Sequence, residues 1–157
     1  MHDPASVRPQ LVESLYVEAL ALSDEVRAVF DLSELEAAEP SCGDPFRVAL
    51  SCEALRATTR MMHAVAWLLN QRAFLRGELT AYQLRRTGEL SPLPGRDTDR
   101  IAQLPLHLRQ MIEESEAFYR RLWRFDRQWR AEGEPSAAPA PVSAMQERLA
   151  QVFAVAS

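Results

Sequence analysis

Residues 44–77 read DPFRVALSCEALRATTRMMHAVAWLLNQRAFLRG, and the fold depends on how this run is parsed. Asp44 can cap a helix with its side-chain oxygen, and Pro45 suits the first helical position. Val48, Cys52, Leu55, Thr59, Met62, Ala66, Leu69 and Ala73 then alternate spacings of four and three residues. That is a heptad seam of the kind that faces a partner helix. Ala54, Thr58, Met61, Val65 and Leu68 form a second row beside it. Two rows make an apolar face too wide for one neighbour, so the run is expected to be the central helix of a bundle. On this reading Leu69 lies in the core and Glu53 on the wet side. Arg72 and Arg76 fall in the last turn, where positive charge suits the helix dipole, and Gly77 stands just past the end.

Upstream, Leu11, Leu15, Ala19, Leu22, Val26 and Val29 recur at helical spacing and predict a first helix from Arg8 to Phe30, after a frayed start over residues 1–8. Ser33 to Gly43, ending in Pro40-Ser41-Cys42-Gly43, reads as a loop that keeps at most a helical turn. Downstream, Thr80 and Gln83 have the spacing of a capping box and predict a short helix to Thr87. Gly88 to Gly95, with Pro92 and Pro94, is a loop. Pro105 belongs in the first turn of a third long helix, because proline inside a helix costs ~3 kcal/mol. Residues 98–103 then form a separate turn. Along that third helix Leu104, Leu108, Met111, Ser115, Phe118, Leu122, Phe125 and Trp129 repeat the four-three spacing. Ala131 to Ser143 is rich in proline and alanine and reads as a flexible linker. It leads to Met145, Leu149, Val152 and Phe153, which share a helical face. The organisation is therefore a bundle domain over 1–131 and a tail over 132–157. The predicted fold class is all-α, an antiparallel bundle of three long helices with a short accessory helix.

A chain of 157 residues, 47% hydrophobic and 25% charged, suits one domain with a real core. Its formal charge of −4 speaks against a general nucleic-acid binder, although all 18 basic residues are arginine. No basic stretch precedes an apolar run at the N-terminus, and no run approaches the ~20 apolar residues of a membrane span. A cytoplasmic location follows as the expectation, with Cys42 and Cys52 reduced.

Enzyme chemistry finds no foothold. His2, His63 and His107 are scattered, neither cysteine has metal-ligand spacing, and five glycines leave no phosphate loop. Neither a cofactor nor a metal is expected. Arg56, Arg60, His63, Trp67 and Asn70 lie along one stripe of the central helix. This stripe is either the solvated face or, given the large aromatic among polar groups, a protein-binding patch. Arginines from Arg120 to Arg130 alternate with Trp123 and Trp129. Dipole complementation and helix surface account for them, with an acidic protein partner or single-strand nucleic-acid stacking as the rivals. A third reading is a ligand pocket near Met61, Met62 and Trp67. Ile112, Tyr119 and Trp123 form a row beside the third seam that three helices leave uncovered, which makes them the expected homodimer contact. Met145, Leu149, Val152 and Phe153 make the tail a docking arm, and its small apolar end, Ala154-Val155-Ala156-Ser157, offers a degradation handle as the alternative.

The runs Leu55-Arg56-Ala57-Thr58-Thr59-Arg60-Met61-Met62, Ala66-Trp67-Leu68-Leu69-Asn70-Gln71-Arg72-Ala73 and Gly77-Glu78-Leu79-Thr80 resemble the family of the bacterial regulator of CtrA degradation. The resemblance is dense over these residues and continues loosely past Leu104-Pro105. It implies a small dimeric helical bundle acting as an adaptor, which helps deliver cell-cycle regulators to the ClpXP protease. Its partners would be a second copy, protease-associated proteins and cargo regulators.

Overall fold

The computed structural model describes residues 4–36 and 44–133. They form five helices: α1 (Pro4–Glu36), α2 (Pro45–Leu75), α3 (Ala81–Thr87), α4 (Thr98–Ala102) and α5 (Leu106–Gly133). No strand occurs among the described residues. The all-helical class is as the sequence predicts. The chain divides into two compact units, Met1–Asp126 and Arg127–Ser157. Within the second, Gln128 Nε2 donates to Glu132 Oε1 at 2.9 Å along the end of α5.

Local chemistry sets the helix ends. The Asp44 carboxylate accepts from the Phe46 amide at 2.9 Å, with Pro45 in the first position. At the other end the Gly77 amide bonds to the Phe74 carbonyl and the Glu78 amide to the Ala73 carbonyl. This pair of bonds requires a left-handed residue at position 77, and Gly77 has φ +76°. Thr80 and Gln83 form the expected capping box on α3. Asp97 caps α4 through the Arg100 amide at 3.0 Å. α1 is longer than its apolar stripe at both ends. Pro4 is tolerated at a helix start, and residues 31–36 contain no glycine or proline to stop it.

The order of the long helices departs from expectation. α1 runs antiparallel to α2: near its start Arg8 bonds to Gln71 and Glu13 to Arg72, while farther along Arg27 and Thr58 line the same groove. α5 instead runs in the same direction as α2, since Arg60 meets Ser115 and Glu116 while Trp67 meets Asp126. Two parallel helices cannot be joined by a tight turn, so residues 76–105 carry the chain back. α2, at 31 residues, is about 46 Å long. After α3, residues 88–97 form a strap running against the direction of both helices. Its Leu90 amide donates to Asp126 Oδ2 at 3.4 Å, its Ser91 carbonyl accepts from Tyr119 Oη at 2.7 Å, and its Gly95 carbonyl accepts from Arg56 at 3.0 Å.

The seam of α5 is inside as predicted, with Leu108, Met111, Ser115, Phe118 and Leu122 buried. α2 is turned the other way. Its buried positions include Leu50, Glu53, Ala57, Arg60, Ala64, Trp67 and Gln71, which themselves follow three-four spacing. Of the seam expected in the core, Val48, Leu55, Met62 and Leu69 are 56%, 69%, 60% and 44% exposed. Leu69 is thus outside and Glu53 inside, the reverse of expectation. At 100° per residue the two seams lie on opposite sides of the helix. The inward one wins because Arg60, Trp67 and Gln71 find partners on the neighbouring long helices.

Candidate functional site

The stripe Arg56, Arg60, His63, Trp67 and Asn70 faces mostly inward, toward α5 and the strap. Trp67 is 2% exposed, and its indole N–H donates to Asp126 Oδ1 at 2.8 Å. Arg60 is 7% exposed; it donates to Ser115 Oγ at 2.6 Å and pairs with Glu116 at 3.5 Å. Arg56 is half-buried against the strap. His63, Trp67 and Asn70 border a narrow cleft of about 120 Å³ under Thr87–Ser91. Only His63 of the five is well exposed. The stripe is therefore neither a solvated face nor an open binding patch: most of it is fastened to the chain's own elements.

The expected dimer row is also corrected. Ile112 is fully buried, and Tyr119, 2% exposed, reaches the strap carbonyl. The face that three helices would leave open is closed by residues 88–97. Trp123 is half-buried. The docking stripe Met145, Leu149, Val152 and Phe153 lies outside the described residues. In the arginine cluster, Arg120 pairs with Glu116 at 2.9 Å and Arg121 with Glu18, so part of its charge is already engaged.

A buried ionic cluster organises the interior. Glu116 gathers Arg60, Arg96 and Arg120, and Glu53 lies 3.9 Å from both Arg56 and Arg100. Burial pushes the Glu53 carboxyl above its ordinary value, against the pull of Arg56, Arg100 and Arg60. Burial likewise lowers Arg60, opposed by Glu116 and Glu53. Tyr119 is pushed up to about 12, chiefly by burial, in spite of Arg60. A raised carboxyl pKa means that the fold favours the protonated form. Glu53's favourable contribution is therefore present below its unfolded value and is lost as pH rises through the folded one. Glu53→Gln should accordingly be more stable than the native chain at pH 7, with the gap closing toward pH 4.5. Urea midpoints across that range test it, and a Gln variant weaker than native at pH 7 would refute it.

The open surface lies on the far side of α2. Val48, Leu55, Met62 and Leu69 stand out along it as a row of large apolar side chains. Between this row and α1 runs a largely apolar groove of about 460 Å³, lined by Leu20, Met61, Met62, Val65 and Leu69 among others. Met61 and Met62 line this groove, while Trp67 is on the other side of the helix, so the three do not share a pocket. By hydropathy alone this outer face belongs in the core rather than on the surface. The signal for the inner face is a second seam of equal regularity, offset alternately by two residues and one.

Among the described residues no group of three His, Cys, Asp or Glu side chains could hold a metal ion. No helix among them is long and apolar enough to cross a membrane. No curated protein and no solved structure matches the chain. A family model matches residues 4–153, and the chain belongs to that family, described as protein of unknown function DUF1465.

Proposed function

We propose that the protein is a non-enzymatic cytoplasmic adaptor in regulated proteolysis, which works as a homodimer and brings cell-cycle regulators to a ClpXP-type protease. The observation that carries the reading is the distribution of chemistry over the molecule. Arg60 and Trp67 of the central stripe are consumed inside, where they fasten α2 to α5, while the opposite face of α2 exposes a row of large apolar side chains. An exposed apolar face of this extent suits holding another protein. The resemblance of residues 55–80 to the regulator of CtrA degradation supplies the proteolytic context. Met145, Leu149, Val152 and Phe153 act as a second contact, tethered at high effective concentration.

The test is reconstituted degradation. Purified ClpXP with a response-regulator cargo should lose cargo faster when the full chain is added, and truncation after Ala131 should cancel the gain. Unchanged cargo loss with the full chain refutes the adaptor role. A salt-dependent shift with DNA would instead favour a nucleic-acid role for Arg120–Arg130.

A further inference from the structure

We infer that the outward seam of α2 joins two copies of this chain antiparallel, about a twofold axis passing between Thr59 and Met62. This deepens the homodimer reading above and rests on it. The seam has two rows of unlike size. Val48, Leu55, Met62 and Leu69 are large, and Cys52, Thr59, Ala66 and Ala73, which alternate with them, are small. The large row stands out into solvent.

Size alternation chooses both the occupant and its direction. A helix packing on this face must offer a small residue opposite each large one, at the same pitch. The same seam read backwards does so at every level. Val48 meets the partner's Ala73, Cys52 the partner's Leu69, Leu55 the partner's Ala66 and Thr59 the partner's Met62. The twofold axis then repeats the four layers. A parallel pair would stack large on large and small on small, crowding alternate layers and emptying the rest.

Area and charge agree. From Val48 to Ala73 the seam runs about 38 Å at 1.5 Å per residue. Counted with the adjoining α1 groove, roughly two helix diameters wide, the strip covers about 760 Å² per copy, close to the ~800 Å² of a standard interface. Along its flanks lie Ser51, Thr58, Val65, Arg56, His63 and Asn70, with Arg72 held by Glu13 at 2.8 Å. Arg56 is turned to the strap, where it donates to the Gly95 carbonyl, so both flanking arginines are engaged within their own copy and do not oppose those of the other.

Light scattering of the full chain at micromolar concentration should give twice the 17.8 kDa chain mass. Met62→Glu, at an exposed position, should give the single mass while keeping the native helical signal and a cooperative thermal transition by circular dichroism. Direction is read by thiol cross-linking in a Cys42→Ser background. Leu69→Cys should yield a covalent dimer under mild oxidation, and that product should vanish when Cys52→Ser is added. Without Leu69→Cys, Cys52 should not cross-link. A monomeric native chain, whether its seam is covered by its own C-terminal residues or by nothing, overturns the inference. So does a dimer that survives Met62→Glu, or one cross-linked Cys52 to Cys52. None of these readouts involves protease or cargo, so the adaptor role stands or falls separately.

Discussion

Trp67→Ala should lower the unfolding free energy by ~3 to 5 kcal/mol, the range for truncating a buried large aromatic. Trp67 is the largest of the fully buried side chains, and it lies where α2, α5 and the strap converge. Its removal leaves a void under Leu90 and takes one hydrogen bond from the buried Asp126 carboxylate. That carboxylate also accepts from the Leu90 amide, so the strap loses its anchor indirectly. Trp67→Phe separates the two effects. It keeps most of the apolar volume and removes only the N–H, for ~1 to 3 kcal/mol from the donor lost to Asp126. Urea titration of the two variants against the native chain should give that order. A Trp67→Ala midpoint within ~0.5 kcal/mol of native, as for ordinary surface changes, would place the indole in solvent and restore the stripe as a binding surface.

The contrast between α5 and α2 shows what the pattern of residues can and cannot disclose. In α5 the apolar seam is also the buried one because the charges on its other sides, Glu113, Glu114 and Arg124 among them, stay in water. In α2 two seams of equal regularity occupy opposite faces, and hydropathy alone ranks the outer one first. The decision lies with Ser115, Glu116 and Asp126, more than fifty residues away in sequence, which make burial of Arg60 and Trp67 favourable. No local window contains that information. The parallel course of α2 and α5 was more accessible. Helices that are antiparallel neighbours are joined by short loops, whereas residues 76–105 are long enough to return the chain along a helix. The caps at Asp44, Thr80 and Gly77 are legible because their chemistry is wholly local.

Arg60 gives the second large effect. Its guanidinium sits in the interior, bonded to Ser115 and paired with Glu116, and Glu53 feels its charge. Removing one member of a buried ion pair costs ~3 to 5 kcal/mol, because the charge left behind stays desolvated. Arg60→Met preserves much of the volume, and Glu116 still has Arg96 and Arg120. The expected loss is therefore at the low end, ~3 kcal/mol. What distinguishes a charge effect from a packing effect is coupling to Glu53. Without Arg60, Glu53 loses one of the three arginines opposing its desolvation and keeps the repulsion of Glu116. Arg60→Met combined with Glu53→Gln should thus be more stable than the sum of the single changes predicts. The Arg60→Met deficit should also shrink as pH falls toward the raised Glu53 value, since protonation removes the uncompensated charge. A double-mutant cycle in urea at pH 7, repeated in mild acid, measures both. Additivity to within ~0.5 kcal/mol, the usual limit for independent sites, together with a deficit that ignores pH, would mean that Arg60 acts through its volume alone.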